Sequence, residues 1–115
     1  MIKNFYKIAP KPQANCHGGQ GTIHITNIFE KFTTPMEFFH YTVLPPGTSI
    51  GLHTHKNDEE FYVVLEGEGE MEVNGVKEMV TAGSVIMNEP FGSHALRNVS
   101  ETEALRLLVF EVKST

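Results

Sequence analysis

At 115 residues the chain is near the commonest domain size, long enough to bury one hydrophobic core and too short for two. Nine Lys and Arg against fourteen Asp and Glu give a formal charge of −5, the wrong sign for neutralising nucleic-acid phosphates or an anionic membrane surface, so neither partner is expected. The opening stretch MIKNFYKIAPKPQANC is broken by Lys or Pro every few residues, which argues against a signal peptide or membrane span there, and the lone Cys16 rules out an intrachain disulfide; a cytoplasmic, reducing setting is expected.

In chain order, residues 1–21 read as an N-terminal arm, irregular from Pro10 to Gly21 because Pro, Gly, Asn and Gln dominate it. The ordered domain is placed at 22–115. Strands are predicted at Thr22 to Phe29 and Glu37 to Leu44, followed by the Pro45-Pro46-Gly47 break and a strand at Ile50 to His55. Next come Phe61 to Leu65, a kink at Gly67-Glu68-Gly69, and the pair Glu70 to Val73 and Val76 to Val80 around Asn74-Gly75. That dipeptide suits a type I′ hairpin turn, which requires positive φ at both positions. Ser84 to Asn88, His94 to Val99 and Leu105 to Val112 complete the set, with Ala82-Gly83 and Pro90-Phe91-Gly92 as breaks. A helix over Glu101 to Leu108 is disfavoured by the β-branched and aromatic residues around it. About eight or more short strands with frequent turn signals specify an all-β sandwich or barrel.

Side-chain parity adds detail. Glu68, Glu70 and Glu72 share one strand face while Met71 and Val73 share the other, so this strand is half solvated. Phe61 to Leu65 is apolar on both faces, and Arg106, Leu108 and Phe110 oppose Leu105, Leu107 and Val109 in the same way. One face fills the interior. The other needs a cover, for which the candidates are the N-terminal arm or, preferably, a second copy of the chain in a homodimer.

His53 and His55 stand at i and i+2 on a predicted strand, so both imidazoles leave one face with Cα atoms about 7 Å apart and can converge on one ion. After a reversal at Lys56-Asn57-Asp58, either Glu59 or Glu60 opens the next strand and can add a carboxylate. The surrounding pattern is more specific. Gly47, five residues, His53-Thr54-His55, four residues, Glu60, six residues and Gly67 resembles the first signature of the cupin family; Gly83, Pro90-Phe91-Gly92, His94, three residues and Asn98 resembles the second. One departure is visible: a single residue, not two, separates Gly92 from His94. The resemblance implies a single cupin jelly-roll β-barrel, a double-stranded β-helix, with a divalent metal held by His53, His55, Glu60 and His94. Glu60 is preferred to Glu59 because it keeps the spacing to Gly67 and shares an inward register with Tyr62 and Val64.

Three imidazoles and a carboxylate without thiolate suit one Fe, Mn, Ni, Zn or Cu ion per chain better than Ca or Mg. In octahedral geometry such a set leaves two positions open, as chemistry on a small molecule requires; a closed tetrahedral Zn would be structural. Tyr62, two residues beyond Glu60, is a candidate for orienting a substrate or giving a proton, against the ordinary role of a core tyrosine. His40 is a candidate base, against a core or surface histidine. Met36, Phe38, Met71, Met87 and Phe91 are candidate cavity lining. Cys16 and His17 in the Gly-rich arm are read as a solvated loop in preference to an approach to the site of either subunit, His24 as a solvated strand position, Asn98 as a strand-end hydrogen-bonding residue and Ser84 as a turn residue. The resemblance admits a metal-dependent enzyme acting on a small polar substrate, by dioxygenase-like or proton-transfer chemistry, a non-catalytic small-molecule binding module, or a structural metal site.

Overall fold

A computed structural model describes residues 1–114. Among these residues ten strands form two antiparallel sheets: β1 Lys11–Ala14, β2 Thr22–Phe29, β3 Met36–Leu44, β4 Ser49–Thr54, β5 Asp58–Glu66, β6 Glu68–Val73, β7 Val76–Thr81, β8 Val85–Asn88, β9 Ser93–Asn98 and β10 Leu105–Lys113. The larger sheet has the order β1-β2-β3-β10-β5-β8 and the smaller the order β4-β9-β6-β7. The all-β expectation holds. No described helix is long and apolar enough to cross a membrane.

From β3 onward the chain changes sheet at every connection except one. That exception is the β6–β7 hairpin, where Asn74 (φ 49) and Gly75 (φ 82) both take the left-handed conformation that a type I′ turn needs. Gly67 makes the opposite kind of connection, from β5 in one sheet to β6 in the other. Its φ of +94 is disfavoured for any residue with a Cβ, and an added Cβ would lie 2.5 Å from the Ala104 carbonyl oxygen. The chain also crosses between His55 and Asp58, so β4 and β5 are not paired partners but face each other across the interior.

Alternation along three strands divides that interior. Glu60, Tyr62 and Val64 on β5, Glu111, Val109, Leu107 and Leu105 on β10, and His94, Leu96 and Asn98 on β9 are all buried. At one end the inward positions are ionisable. Towards the other they become Val64, Leu96, Leu105 and Leu107, which join Ile23, Leu44 and Ile50 in one apolar cluster. Asn98 closes the apolar end as a hydrogen-bonding residue: its Nδ2 donates to the carbonyls of Leu44 and Glu103, each at 2.9 Å, and its Oδ1 accepts from Ser100 N.

Two expectations are corrected. The segment 10–21 is not irregular, since β1 pairs with β2 in the register Lys11↔Ile25 to Ala14↔Thr22, and Cys16–Gly18 forms a 3₁₀ turn. Pro12 masks this in the sequence, but on an edge strand a missing N–H leaves no ladder bond unmade. The reading of Cys16 as solvated also fails, for it is 7% exposed within the apolar cluster.

The outer face of the larger sheet is partly covered by the arm. Phe5 stacks on Tyr41 with centroids 4.3 Å apart, and Arg106 Nη1 donates to the Tyr41 hydroxyl at 2.9 Å. Further along, Phe39, Phe110 and Phe61 form a row with centroid separations of 5.4 and 5.0 Å. Val85 and Met87, at the sheet edge next to them, are 66% and 52% exposed.

Candidate metal centre

The ionisable end of the interior gathers His53, His55, Glu60 and His94, with one ligand atom from each lying within 4.8 Å of all the others. They come from both sheets. His53 sits on β4 after a register shift, where it pairs directly with His94 of β9, and Glu60 reaches over from β5. His55 lies just beyond β4, its N–H donating to the Gly92 carbonyl at 2.8 Å. Phe91 N–H in turn donates to the Lys56 carbonyl. The two loops that carry the resemblance are therefore bonded to each other. In the loop before His94, Phe91 takes a left-handed backbone with φ of 62.

Each imidazole presents one nitrogen inward. His53 Nδ1 donates to the Gly51 carbonyl at 2.8 Å, and His55 Nδ1 bonds Asp58 Oδ1 at 2.6 Å, so in both rings Nε2 is the free acceptor. Burial, offset in part by the Gly51 hydrogen bond, pushes the His53 pKa down to about 4, so this ring stays neutral and its lone pair available at neutral pH. The Nε2 atoms of His55 and His94 lie 2.5 Å apart. Glu60 Oε1 is 3.1 Å from His94 Nε2 and 3.3 Å from His55 Nε2.

This geometry provides a test of fit for a cation. Glu60 Oε1 is buried and, although close to two imidazole nitrogens, has no hydrogen-bond partner among the described residues. A buried carboxylate oxygen without a partner costs free energy unless something positive meets it. Three imidazole nitrogens and one carboxylate converging on one point are a donor set for a divalent transition ion.

Around the cluster lies a cavity of about 330 Å³, lined among others by His17, His40, Thr42, Lys56, Tyr62 and Glu111. Tyr62 packs edge-on to His94 at 5.4 Å. Burial, and next the Glu60 carboxylate, hold its hydroxyl well above the usual tyrosine range, so it remains protonated. His40 faces the same cavity, stacked on Phe38 at 4.4 Å, and burial lowers its pKa despite the pull of Glu60. Met87 and Phe91, expected as possible lining, are exposed on the outside, while Met71 belongs to the apolar interior and Met36 lines a separate surface pocket beside Lys113. Phe38 does line the cavity.

Several residues escape the sequence analysis. Besides Asp58, Glu111 Oε1 approaches His55 Nδ1 at 3.2 Å. Burial and a hydrogen bond with Glu37 raise the Glu111 pKa to about 9, while the same hydrogen bond lowers that of Glu37, so the pair shares one proton that resides on Glu111. Glu111 was legible in principle, since it follows Leu105, Leu107 and Val109 on the inward parity of β10. His17 was not. A left-handed backbone (φ 50, ψ 36) turns it back over β4, where its ring stacks on that of His53 at 3.6 Å and 10°.

The chain matches the cupin-domain family model over residues 40–111. It is 31% identical over 105 residues to an oxalate-binding protein of Thermotoga maritima, covering 90% of this chain and 87% of that protein. In structure it resembles a predicted oxalate decarboxylase of Thermotoga maritima, with TM-score 0.95 and 29% identity over 99% of this chain and all of that one. The cupin domain of Schizosaccharomyces pombe Cnp3 shares the fold at TM-score 0.75 and 16% identity, covering 90% of this chain and 69% of that one. With the family match spanning His53, His55, Glu60 and His94 alike, the chain belongs to the cupin family.

Proposed function

We propose that the chain is a metal-dependent cupin that binds a small, oxygen-rich anion, a short dicarboxylate such as oxalate, beside a divalent ion held by His53, His55, Glu60 and His94. The observation that carries this reading is the buried, unpartnered Glu60 Oε1 set between two imidazole nitrogens at the wall of a cavity of about 330 Å³. A Thermotoga maritima relative described as oxalate-binding supports the choice of anion. Mn, Fe, Ni, Cu or Zn fits the donor set, and an ion with four protein ligands in octahedral geometry supplies two positions for oxygen donors.

The chain's own residues then prepare the site. Asp58 and the Gly51 carbonyl hold the rings of His55 and His53 with Nε2 inward. In the metal-free chain Glu111 keeps its proton, so the cavity is less negative than its carboxylates suggest. The cavity volume is at the lower end of the range for small-ligand sites, roughly 300 to 1,000 Å³.

A second reading, turnover of the bound anion, is favoured by two groups in the same cavity. Tyr62 keeps its proton and can donate a hydrogen bond, and His40, neutral at neutral pH, can accept a proton. Titration of the Mn(II)-loaded protein with oxalate, malonate and acetate by calorimetry tests the first reading. Metal-dependent binding that is strongest for oxalate supports it, and no binding of any carboxylate sinks it. Carbon dioxide release or oxygen uptake from the bound mixture separates an enzyme from a binding module. The proposed assembly is a homodimer in the cytoplasm, joined through the Phe39, Phe61 and Phe110 face.

A further inference from the structure

Resting on the reading of the centre as an open anion site, we propose that His17 is a specificity-determining residue of that site. In this view its ring edge offers a hydrogen bond to the outer oxygen of an anion held beside His53.

Three observations converge on this role. First, the ring lies parallel to that of His53 at 3.6 Å, and both rings line the same cavity. A group bound next to His53 on that side therefore meets His17. Second, no side-chain hydrogen bond engages the His17 ring among the described residues, so its nitrogens are free for a ligand, whereas His53 and His55 have already committed one nitrogen each.

Third, the residue is held in place by its backbone. Asn15 N–H donates to the Gly21 carbonyl, Ser49 N–H to the Gln20 carbonyl, and Gln20 N–H to Ser49 Oγ. The turn is packed so closely on β4 that a Cβ at Gly51 would stand 2.2 Å from the His17 carbonyl oxygen, and one at Gly19 equally close to the Ser49 carbonyl oxygen. Two non-glycine residues, Asn15 and His17, accept left-handed backbone to make that turn. Gln13 and Lys56 also line the cavity and are exposed, as His17 is, but of the three only His17 has its ring stacked on that of His53. The stack on His53 and the close-packed turn together fix the direction of the His17 ring in the cavity wall.

The test uses the Mn(II)-loaded full chain and two probe anions, oxalate and azide, titrated by calorimetry into wild type, His17→Phe and His17→Gln. Phe keeps a flat ring against His53 without ring nitrogens; Gln restores a hydrogen-bonding group on a backbone with the same strain. The expected result is a loss of about fivefold or more in anion affinity for His17→Phe, the worth of roughly one hydrogen bond, with recovery in His17→Gln and unchanged manganese stoichiometry in both. The proposal is overturned if His17→Phe binds both anions as wild type does, or if both variants lose affinity together with manganese, which would leave His17 only a prop for His53. Wild type that takes azide but not oxalate, with azide lost in His17→Phe, upholds His17 and removes the dicarboxylate reading. Oxalate bound equally well by wild type and His17→Phe does the reverse. Wild type that takes neither anion overturns both.

Discussion

His94 has no exposed surface, and its Nδ1 meets no hydrogen-bond partner among the described residues, so the ring is held by packing beneath Tyr62 and by whatever its Nε2 encounters. That dependence makes it the sharpest probe of the metal reading. Metal at a hundred times its dissociation constant stabilises a folded protein by about 2.7 kcal/mol. For a domain of this size that amounts to a rise of roughly 10 °C or more in melting temperature. In His94→Ala this rise should vanish and the ion content fall below one per chain, as read by calorimetry and elemental analysis; an unchanged stoichiometry would count against the assignment. His53 makes a second prediction, for the metal-free protein. Its folded pKa of about 4 lies below the ordinary 6.5, so over that window the unfolded chain binds the proton more readily. Stability is therefore lost as pH falls from 6.5 towards 4. Relative to His53→Gln, metal-free wild type should melt progressively lower across that interval, and a constant gap between the two would contradict the burial of this ring.

At the scale of elements, the sheet-changing connections matter more than the strands they join. Gly67 and Gly47 both have positive φ, at +94 and +74, yet only at Gly67 would a Cβ meet backbone; at Gly47 nothing stands within 4 Å. Gly47→Ala should thus cost about 1 kcal/mol, the left-handed penalty alone, and Gly67→Ala about 3 kcal/mol, since the Ala104 carbonyl must also move. Urea denaturation measures both, and equal costs would mean that the close approach relaxes freely. The elements themselves were largely legible. Runs of β-branched and aromatic residues bounded by turn signals located β5 at Phe61 to Leu65 and β10 at Leu105 to Val112, and Asn74-Gly75 located the hairpin. β1 was hidden because Pro12 and the glycines after it carry the composition of a loop while an edge strand tolerates them. The four candidate ligands were legible through the resemblance of the two motifs to the cupin signatures. Asp58 was not, since it acts through a ring it neighbours only after the crossover, and His17 reads as solvated because the left-handed turn that brings it to the cavity is encoded by no periodicity.

At the scale of the whole molecule, the larger sheet still exposes apolar surface that the N-terminal arm does not cover. Phe5 and Tyr6 reach only the Tyr41 end, leaving the row of Phe39, Phe110 and Phe61 beside the exposed Val85 and Met87. A phenylalanine taken fully out of water contributes roughly 2 to 3 kcal/mol, so a symmetric contact over this row is enough to favour a pair of chains. Light scattering should give twice the chain mass of 12.9 kDa for wild type, and the single mass for Phe110→Glu with ion binding retained. Wild type at the single mass would remove the dimer.

Of the four candidate ligands, His53, His55 and His94 belong to the smaller sheet or its margin and Glu60 to the larger. A cation seated among them would act as a rivet through both layers of the shell. With an ion bound, the mouth of the cavity would be the part of the fold whose rigidity is set from outside, by how much free metal the surroundings provide, while the apolar end beneath Leu105 and Leu107 would keep its own cohesion either way.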